Sequence, residues 1–479
     1  MTTLARQLIG GEFTPGGGTE DEVFDPATGG VLGTVRHSTA RDVDDAVAAA
    51  REAQPAWAAT PVPDRAEVMF RYKALLEDHA DELAELVVAE NGKTLAEARG
   101  EVRRGIEVVA LACGAPTLLM GTALDQIANG IDEEVVRFPV GVVAGICPFN
   151  FPMMVPQWML PLALVAGNSF VLKPSPRTPL SAVRELELLV EAGLPSGVVN
   201  LVHGDAEPVD TLLNHAGVDA VSFVGSAGVA RHVYATAAAS GKRVQALGGA
   251  KNHLIVMDDA DLSQTIPAVI GSAFGNAGQR CLAGSVLVAV GAVGDEVVAA
   301  VADAARSLRQ GRGTDPAAQL GPVIRSHRVS ELSDAIADGE KAGATLVVDG
   351  RERVRDEGFF LGATVFDHVT EEMDLWSTEL FGPILSVVRA DSLDDALSHL
   401  NASRYGNAAS IFTSSGAAAR TFRRRAEAGM LGVNVGVAAP MSFFPFCGWK
   451  DSFFGDLHGQ GQDGIEFFTD RKVLIERWI

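Results

Sequence analysis

Between residues 135 and 260 short apolar runs alternate with helical stretches, and that alternation constrains the fold more than any other feature of the chain. VVRFPVGVVAGIC is followed by a helical pattern near 153–166, then SFVLKP, a helix near 180–192 and GVVNLVHG. AVSFVG (220–225), a helix near 228–239 and NHLIVM (252–257) continue the series. Strands interleaved with helices of this length imply βαβ crossovers and a parallel sheet. Residues 40–113 carry apolar residues at three-to-four spacing, so they should form helices that cover it. A second α/β stretch, with a helix EVVAAVADAARSL and strands GSVLVAV and FGPILSVV, spans about 260 to 440. At 479 residues the chain is too long for one core, so two α/β domains are expected, meeting near Gly248–Gly249 with a cleft between them.

Two segments fit neither domain. GTALDQIANGIDEEVVRF (121–138) and GIEFFTDRKVLIERW (464–478) read as isolated strands that pair into an arm. Exposed strand edges are commonly covered by another subunit, which predicts an oligomer. The net charge of −22 opposes nucleic acid and anionic membranes, although local arginines could still hold an anionic substrate. No run approaches ~18 apolar residues and MTTLARQLIGGEFTPGG lacks an apolar signal core, so a cytoplasmic location is expected. The four cysteines are far apart, with no CxxC pair and no zinc-like histidine spacing, which suggests neither disulfides nor a metal.

One cysteine stands apart. Cys281 lies in GNAGQRCLAGS (275–285), among small and polar residues and directly behind Arg280, a setting that suits a thiolate stabilised by backbone amides. Cys113 in an apolar helix and Cys147 at the end of an apolar strand read as packing residues, and Cys447 in FPFCGWK is ambiguous.

CPFNFPMMVPQWMLPLALVAGNSFVLKPSP, FVGSAG, ALGGAKNH, GNAGQRC, ELFGPI and SFFGDLHGQGQDGIEFFTDRKV together resemble the NAD(P)-dependent aldehyde dehydrogenase superfamily, collinearly over nearly the whole chain. GAKNH, GQRC and the closing run resemble its CoA-acylating methylmalonate-semialdehyde (malonate-semialdehyde) members. The resemblance implies a Rossmann-type nucleotide-binding domain (1–120 with 139–247), an α/β catalytic domain (248–440), and a small β oligomerisation arm with a C-terminal segment (121–138 and 441–479). It also implies a homodimer or homotetramer.

It makes Cys281 the nucleophile and Asn150 an oxyanion donor, beside the Cys281 amide. Local sequence alone offers Asn150 as an Asx-turn residue capping the next helix. Phe149, Lys173, Gly225, Ser226, Gly248, Glu379 and Phe381 would hold NAD, with Gly225 and Ser226 opening a helix toward the pyrophosphate. Without the resemblance, Glu379 and Phe381 are equally well a strand-end acid and a core phenylalanine. Arg280 and Arg104 would bind the carboxylate of the aldehyde, while Arg104 could instead pair on its helix with Glu101 or Glu107.

Two positions depart from the general pattern. Pro176 in KPSP stands where most NAD-preferring members carry a ribose-binding glutamate, which keeps NADP open. Ala246 stands where hydrolytic members carry the glutamate that activates water, so transfer of the acyl group to CoA is favoured over hydrolysis. The expected reaction takes malonate or methylmalonate semialdehyde to acetyl-CoA or propionyl-CoA with loss of the carboxylate. The rivals are a hydrolytic dehydrogenase of another acidic aldehyde with Glu379 activating water, a cofactor-free cysteine thioesterase, and a non-catalytic nucleotide-binding scaffold.

Overall fold

The computed structural model describes residues 3–478. Its first sheet has eight strands, in the order Phe453–Gly455, Arg243–Leu247, Ala220–Val224, Val142–Ile146, Ser169–Lys173, Val199–Leu201, Gln7–Ile9 and Glu12–Thr14. The five from Arg243–Leu247 to Val199–Leu201 run parallel, and the outer ones are antiparallel additions. The first parallel strand in the chain lies centrally, the next two to one side and the last two to the other, which is the doubly wound order with a crevice at its switch point. Val142–Ile146, Ser169–Lys173 and Ala220–Val224 are buried at every position because helices cover both faces. Ala40–Ala59, Ala206–Asn214 and Ala227–Ala239 pack Val43, Val47, Leu212 and Val233 onto one face. On the other face, Met154–Val165 is apolar nearly all round and is enclosed by Leu95–Cys113 and its neighbours.

The second sheet has seven strands, ordered Thr345–Val348, Thr364–Asp367, Ile384–Ala390, Gly284–Val290, Asn252–Val256, Ala408–Phe412 and Met430–Val433. All but Thr345–Val348 are parallel. No helix among the described residues is long and apolar enough to cross a membrane.

Three sequence expectations need correcting. The strand Arg243–Leu247, absent from the expected series, is the last parallel strand of the first sheet, and NHLIVM lies beyond the Gly248–Gly249 boundary in the second; Arg243 and Gln245 interrupt the apolar pattern of RVQAL and hide it. GIEFF is not strand: Gly461–Phe467 is a helix, because Ile465 and Phe467 are buried in the core around Met154–Val165. The arm therefore starts at Thr469. Residues 441–479 also do not act as one unit, since Phe453–Gly455 extends the first sheet while Thr469–Arg477 joins Thr122–Ala128 and Ile131–Pro139 in the three-stranded arm. Every residue of Thr122–Ala128 is exposed.

Candidate active site

The carboxyl ends of the parallel strands deliver the first group of side chains to one crevice. Phe149 and Asn150 follow Val142–Ile146, Lys173 ends Ser169–Lys173, Gly225 and Ser226 follow Ala220–Val224, and Gly248 follows Arg243–Leu247. Ser226 begins the helix Ala227–Ala239 without a side-chain cap, so the first amides of that helix are open to an anion. Lys173 is buried with a single hydrogen bond, to the Gly204 carbonyl at 3.0 Å, and burial lowers its ammonium to about 8 despite Asp205. Gly248 is committed to packing: its N–H donates to the Ser452 carbonyl, and a Cβ would lie 2.8 Å from the Asp451 carbonyl oxygen. Phe149 and Phe381 meet edge to face at 5.9 Å, which brings the ELFGP loop against the loop carrying Asn150. These groups fit a dinucleotide: an open helix terminus for its phosphates, a buried lysine with unused donors, and an aromatic pair at its reactive end.

Cys281 opens into a second space, a cavity of about 530 Å³ walled by Arg104, Arg280, Trp158, Phe446 and Glu97. The loop that carries Cys281 is held by tight backbone geometry. Asn276 and Ala277 both have φ of 51° and Gly278 has φ of 70°, three successive residues in the left-handed region. At Gly278 the chain runs against the Gly382 carbonyl with no room for a Cβ. The Cys281 carbonyl accepts hydrogen bonds from Asn252 at 2.9 Å and Asn407 at 2.8 Å.

The Asn150 side chain does not cap the following helix. Its amide donates to the Gln279 carbonyl at 3.0 Å, two residues before Cys281, which leaves its second hydrogen for an oxyanion. Arg104 pairs with Glu107 at 3.1 Å and not with Glu101, which is buried against Lys93. Arg280 lies 3.3 Å from Glu97, whose other oxygen caps the helix Leu95–Cys113. Both arginines thus face the cavity with Cys281 while keeping a carboxylate neighbour on its wall.

The Cys281 thiol is not a ready thiolate in this structure. Burial and the nearby Glu379 push it up to about 12, outweighing Arg280 and the amides of Cys281 and Leu282. Burial also raises Glu379 to about 7, against a hydrogen bond from the Ala250 N–H at 2.9 Å and the charge of Lys251. Below the pKa of the thiol, iodoacetamide should alkylate Cys281 roughly tenfold faster per pH unit. Ionised Glu379 opposes the thiolate, so Glu379→Gln should accelerate alkylation a few-fold at about pH 9 and leave it unchanged at about pH 5.5, where the carboxyl is already protonated. A slower Gln variant at the higher pH would instead mark Glu379 as the proton acceptor for the thiol.

Sequence reasoning missed several contributors. Asn252 in GAKNH and Asn407 at the mouth of a strand are buried polar residues whose partner, the Cys281 carbonyl, lies far away in sequence. Lys251 follows the Gly-Gly turn and donates to the Thr378 carbonyl at 2.8 Å. Phe446 and Gln460 line the Cys281 cavity from the C-terminal segment, for which the sequence offered no role at the site; Phe446 packs on Trp158 with ring centroids 4.6 Å apart. Cys113 and Cys147 are buried, and their thiols are pushed up by burial, in keeping with packing roles. Ala246 is wholly buried within the apolar cluster of the first sheet and carries no acid group.

Residues 13–474 match the aldehyde dehydrogenase family. The chain is 54% identical over 484 residues to malonate-semialdehyde dehydrogenase 1 of Geobacillus thermodenitrificans, covering 100% of both chains. It is 52% identical to malonate-semialdehyde dehydrogenase of Halalkalibacterium halodurans, covering 99% of this chain and 98% of that one. Its fold matches the crystal structure of methylmalonate-semialdehyde dehydrogenase from Oceanimonas doudoroffii with a TM-score of 0.98 and 48% identity, over 100% of this chain and 99% of that one. An NAD+ complex of aldehyde dehydrogenase from Bacillus cereus matches with a TM-score of 0.95 at 31% identity, over 99% of this chain and 97% of that one. The chain belongs to the aldehyde dehydrogenase family.

Proposed function

We propose that the protein oxidises malonate semialdehyde or methylmalonate semialdehyde with NAD and passes the acyl group to CoA, releasing acetyl-CoA or propionyl-CoA, carbon dioxide and NADH. The observation that carries this reading is the cavity in which Cys281 faces both Arg280 and Arg104. The names of the relatives support the same substrates.

Cys281 sulfur adds to the aldehyde carbon, and the Asn150 amide with the Cys281 N–H takes the charge that forms on oxygen. NAD, when bound in the crevice, supplies the hydride acceptor. Loss of hydride leaves a thioester on Cys281 with a carboxylate two carbons from its carbonyl, held by the arginines. That carboxylate leaves as carbon dioxide because the thioester carbonyl accepts the electron pair as an enolate, which then takes up a proton. The CoA thiolate attacks the remaining acyl group and frees Cys281.

Ala246 cannot activate water, so in this reading CoA is the acceptor of the acyl group. Without CoA the enzyme should release about one NADH per active site in a burst and then turn over at least roughly tenfold more slowly. Stopped-flow absorbance of NADH with malonate semialdehyde, with and without CoA, measures this. Rapid CoA-independent turnover to a free acid would favour the hydrolytic rival with Glu379 as base. The same assay with NADP decides how far the missing carboxylate at Pro176 has relaxed cofactor choice.

The protein is read as a homodimer or homotetramer of the cytoplasm, and the exposed apolar face of the arm supports the assembly. Leu124, Val473, Ile475 and Trp478 are 57%, 63%, 62% and 81% exposed, more apolar surface than a lone three-stranded sheet keeps in water. Light scattering should give a multiple of 50.2 kDa for the wild type and a smaller assembly for Val473→Asp/Ile475→Asp.

A further inference from the structure

Lys93 is an unusual residue to find inside a protein. Its side chain and that of Glu101 are both 0% exposed, and their Nζ and Oε2 atoms lie 2.5 Å apart. Burying such a pair carries a desolvation cost that the attraction must first repay, so it is weak evidence for stability. What the pair touches is more informative. Lys93 Nζ also donates to the Asn150 carbonyl at 2.7 Å and stands 4.1 Å from the ring centroid of Phe151. The remaining oxygen of Glu101 accepts from the N–H groups of Met153 at 2.9 Å and Met154 at 3.2 Å, at the start of a helix that has no side-chain cap of its own.

One ion pair therefore grips the PFNFPMM loop on both sides of Asn150. The Asn150 carbonyl has one further donor, the Asn276 amide at 3.2 Å, which comes from the nucleophile loop. The Asn150 side chain returns to that loop through the Gln279 carbonyl. Asn91, two residues before Lys93, donates to the Phe149 carbonyl at 3.1 Å. The backbone that aims the Asn150 amide is thus set by the turn Asn91–Lys93, at the head of the helix Leu95–Cys113.

We infer that Lys93, braced by Glu101, is a positioning residue that fixes the Asn150 backbone so that its amide meets the oxyanion formed at Cys281. This rests on the reading of Asn150 as an oxyanion donor, but not on the choice of semialdehyde or on CoA. The test accordingly uses propionaldehyde, which has no carboxylate, and the pre-steady-state NADH burst, which precedes acyl transfer. Lys93→Met leaves Glu101 buried and unpaired, which threatens the fold. The companion variant Lys93→Met/Glu101→Met replaces both charges with apolar groups of similar length and still removes the donor to Asn150.

In a variant that retains a cooperative thermal transition, the burst rate should fall at least roughly tenfold, while NADH affinity and the rate of Cys281 alkylation stay within about twofold. In an Asn150→Ala background the same change should alter the burst rate less than about twofold, because the amide it positions is already gone. Equal losses in both backgrounds, or parallel losses of cofactor binding and alkylation, would overturn the proposal and make the pair a general support of the fold. An Asn150→Ala enzyme with an undiminished burst would overturn it by another route, removing the reading of Asn150 itself.

Discussion

Cys281→Ala should abolish aldehyde oxidation while leaving the affinity for NADH within a few-fold. Cys281 is the only cysteine among the described residues that lines the arginine-walled cavity, and most of the groups that fit the dinucleotide sit on strand ends of the other sheet. Removing a covalent nucleophile eliminates the intermediate from which hydride leaves, so the loss should be roughly four orders of magnitude or more. Steady-state NADH absorbance measures the first quantity and fluorescence titration with NADH the second. More than about a tenth of wild-type turnover in the alanine variant would remove Cys281 from the chemistry.

Arg280→Leu and Arg104→Leu should each weaken transition-state binding of malonate semialdehyde by about 2–3 kcal/mol, some 30- to 150-fold in kcat/KM, and leave propionaldehyde nearly unchanged. The figure lies at the low end for a carboxylate pair because the side chains remain 20% and 31% exposed, so water screens part of the attraction. Each arginine also has a protein carboxylate beside it, Glu97 or Glu107, with which a substrate must compete. Equal losses on both aldehydes would show that the arginines hold the cavity together and do not read its occupant.

What could be read from the sequence follows from distance along the chain. Short apolar runs ended by Asn150, Lys173 and Gly225 carry their own signal, because a strand buried on both faces must be apolar throughout. RVQAL carried none, although it forms a full strand, since Arg243 and Gln245 break the run while the backbone pairs on both edges. GIEFF looked like strand because its apolar residues are dense; only the core around Met154–Val165 makes it a helix. The polar supports of the site were hidden for a different reason. Lys93, Asn252 and Asn407 are ordinary residues in sequence, and their meaning lies in carbonyls 57, 29 and 126 positions away. The raised Cys281 thiol belongs to the same class: the local sequence offers amides and an arginine, whereas burial and Glu379 come from the tertiary fold.

The contact between Gly278 and Gly382 has a bearing on how such enzymes can be recombined. The turn before Cys281 and the turn after Glu379 and Phe381 share one van der Waals surface, backbone against backbone, with no side chain to absorb a mismatch. A chimaera that takes residues 275–285 from one parent and 378–384 from another inherits two loops shaped against different partners. The segments should therefore be exchanged as a linked block, even though about a hundred residues separate them in the gene. Crossovers placed between them will yield folded but inactive proteins more often than crossovers placed outside them.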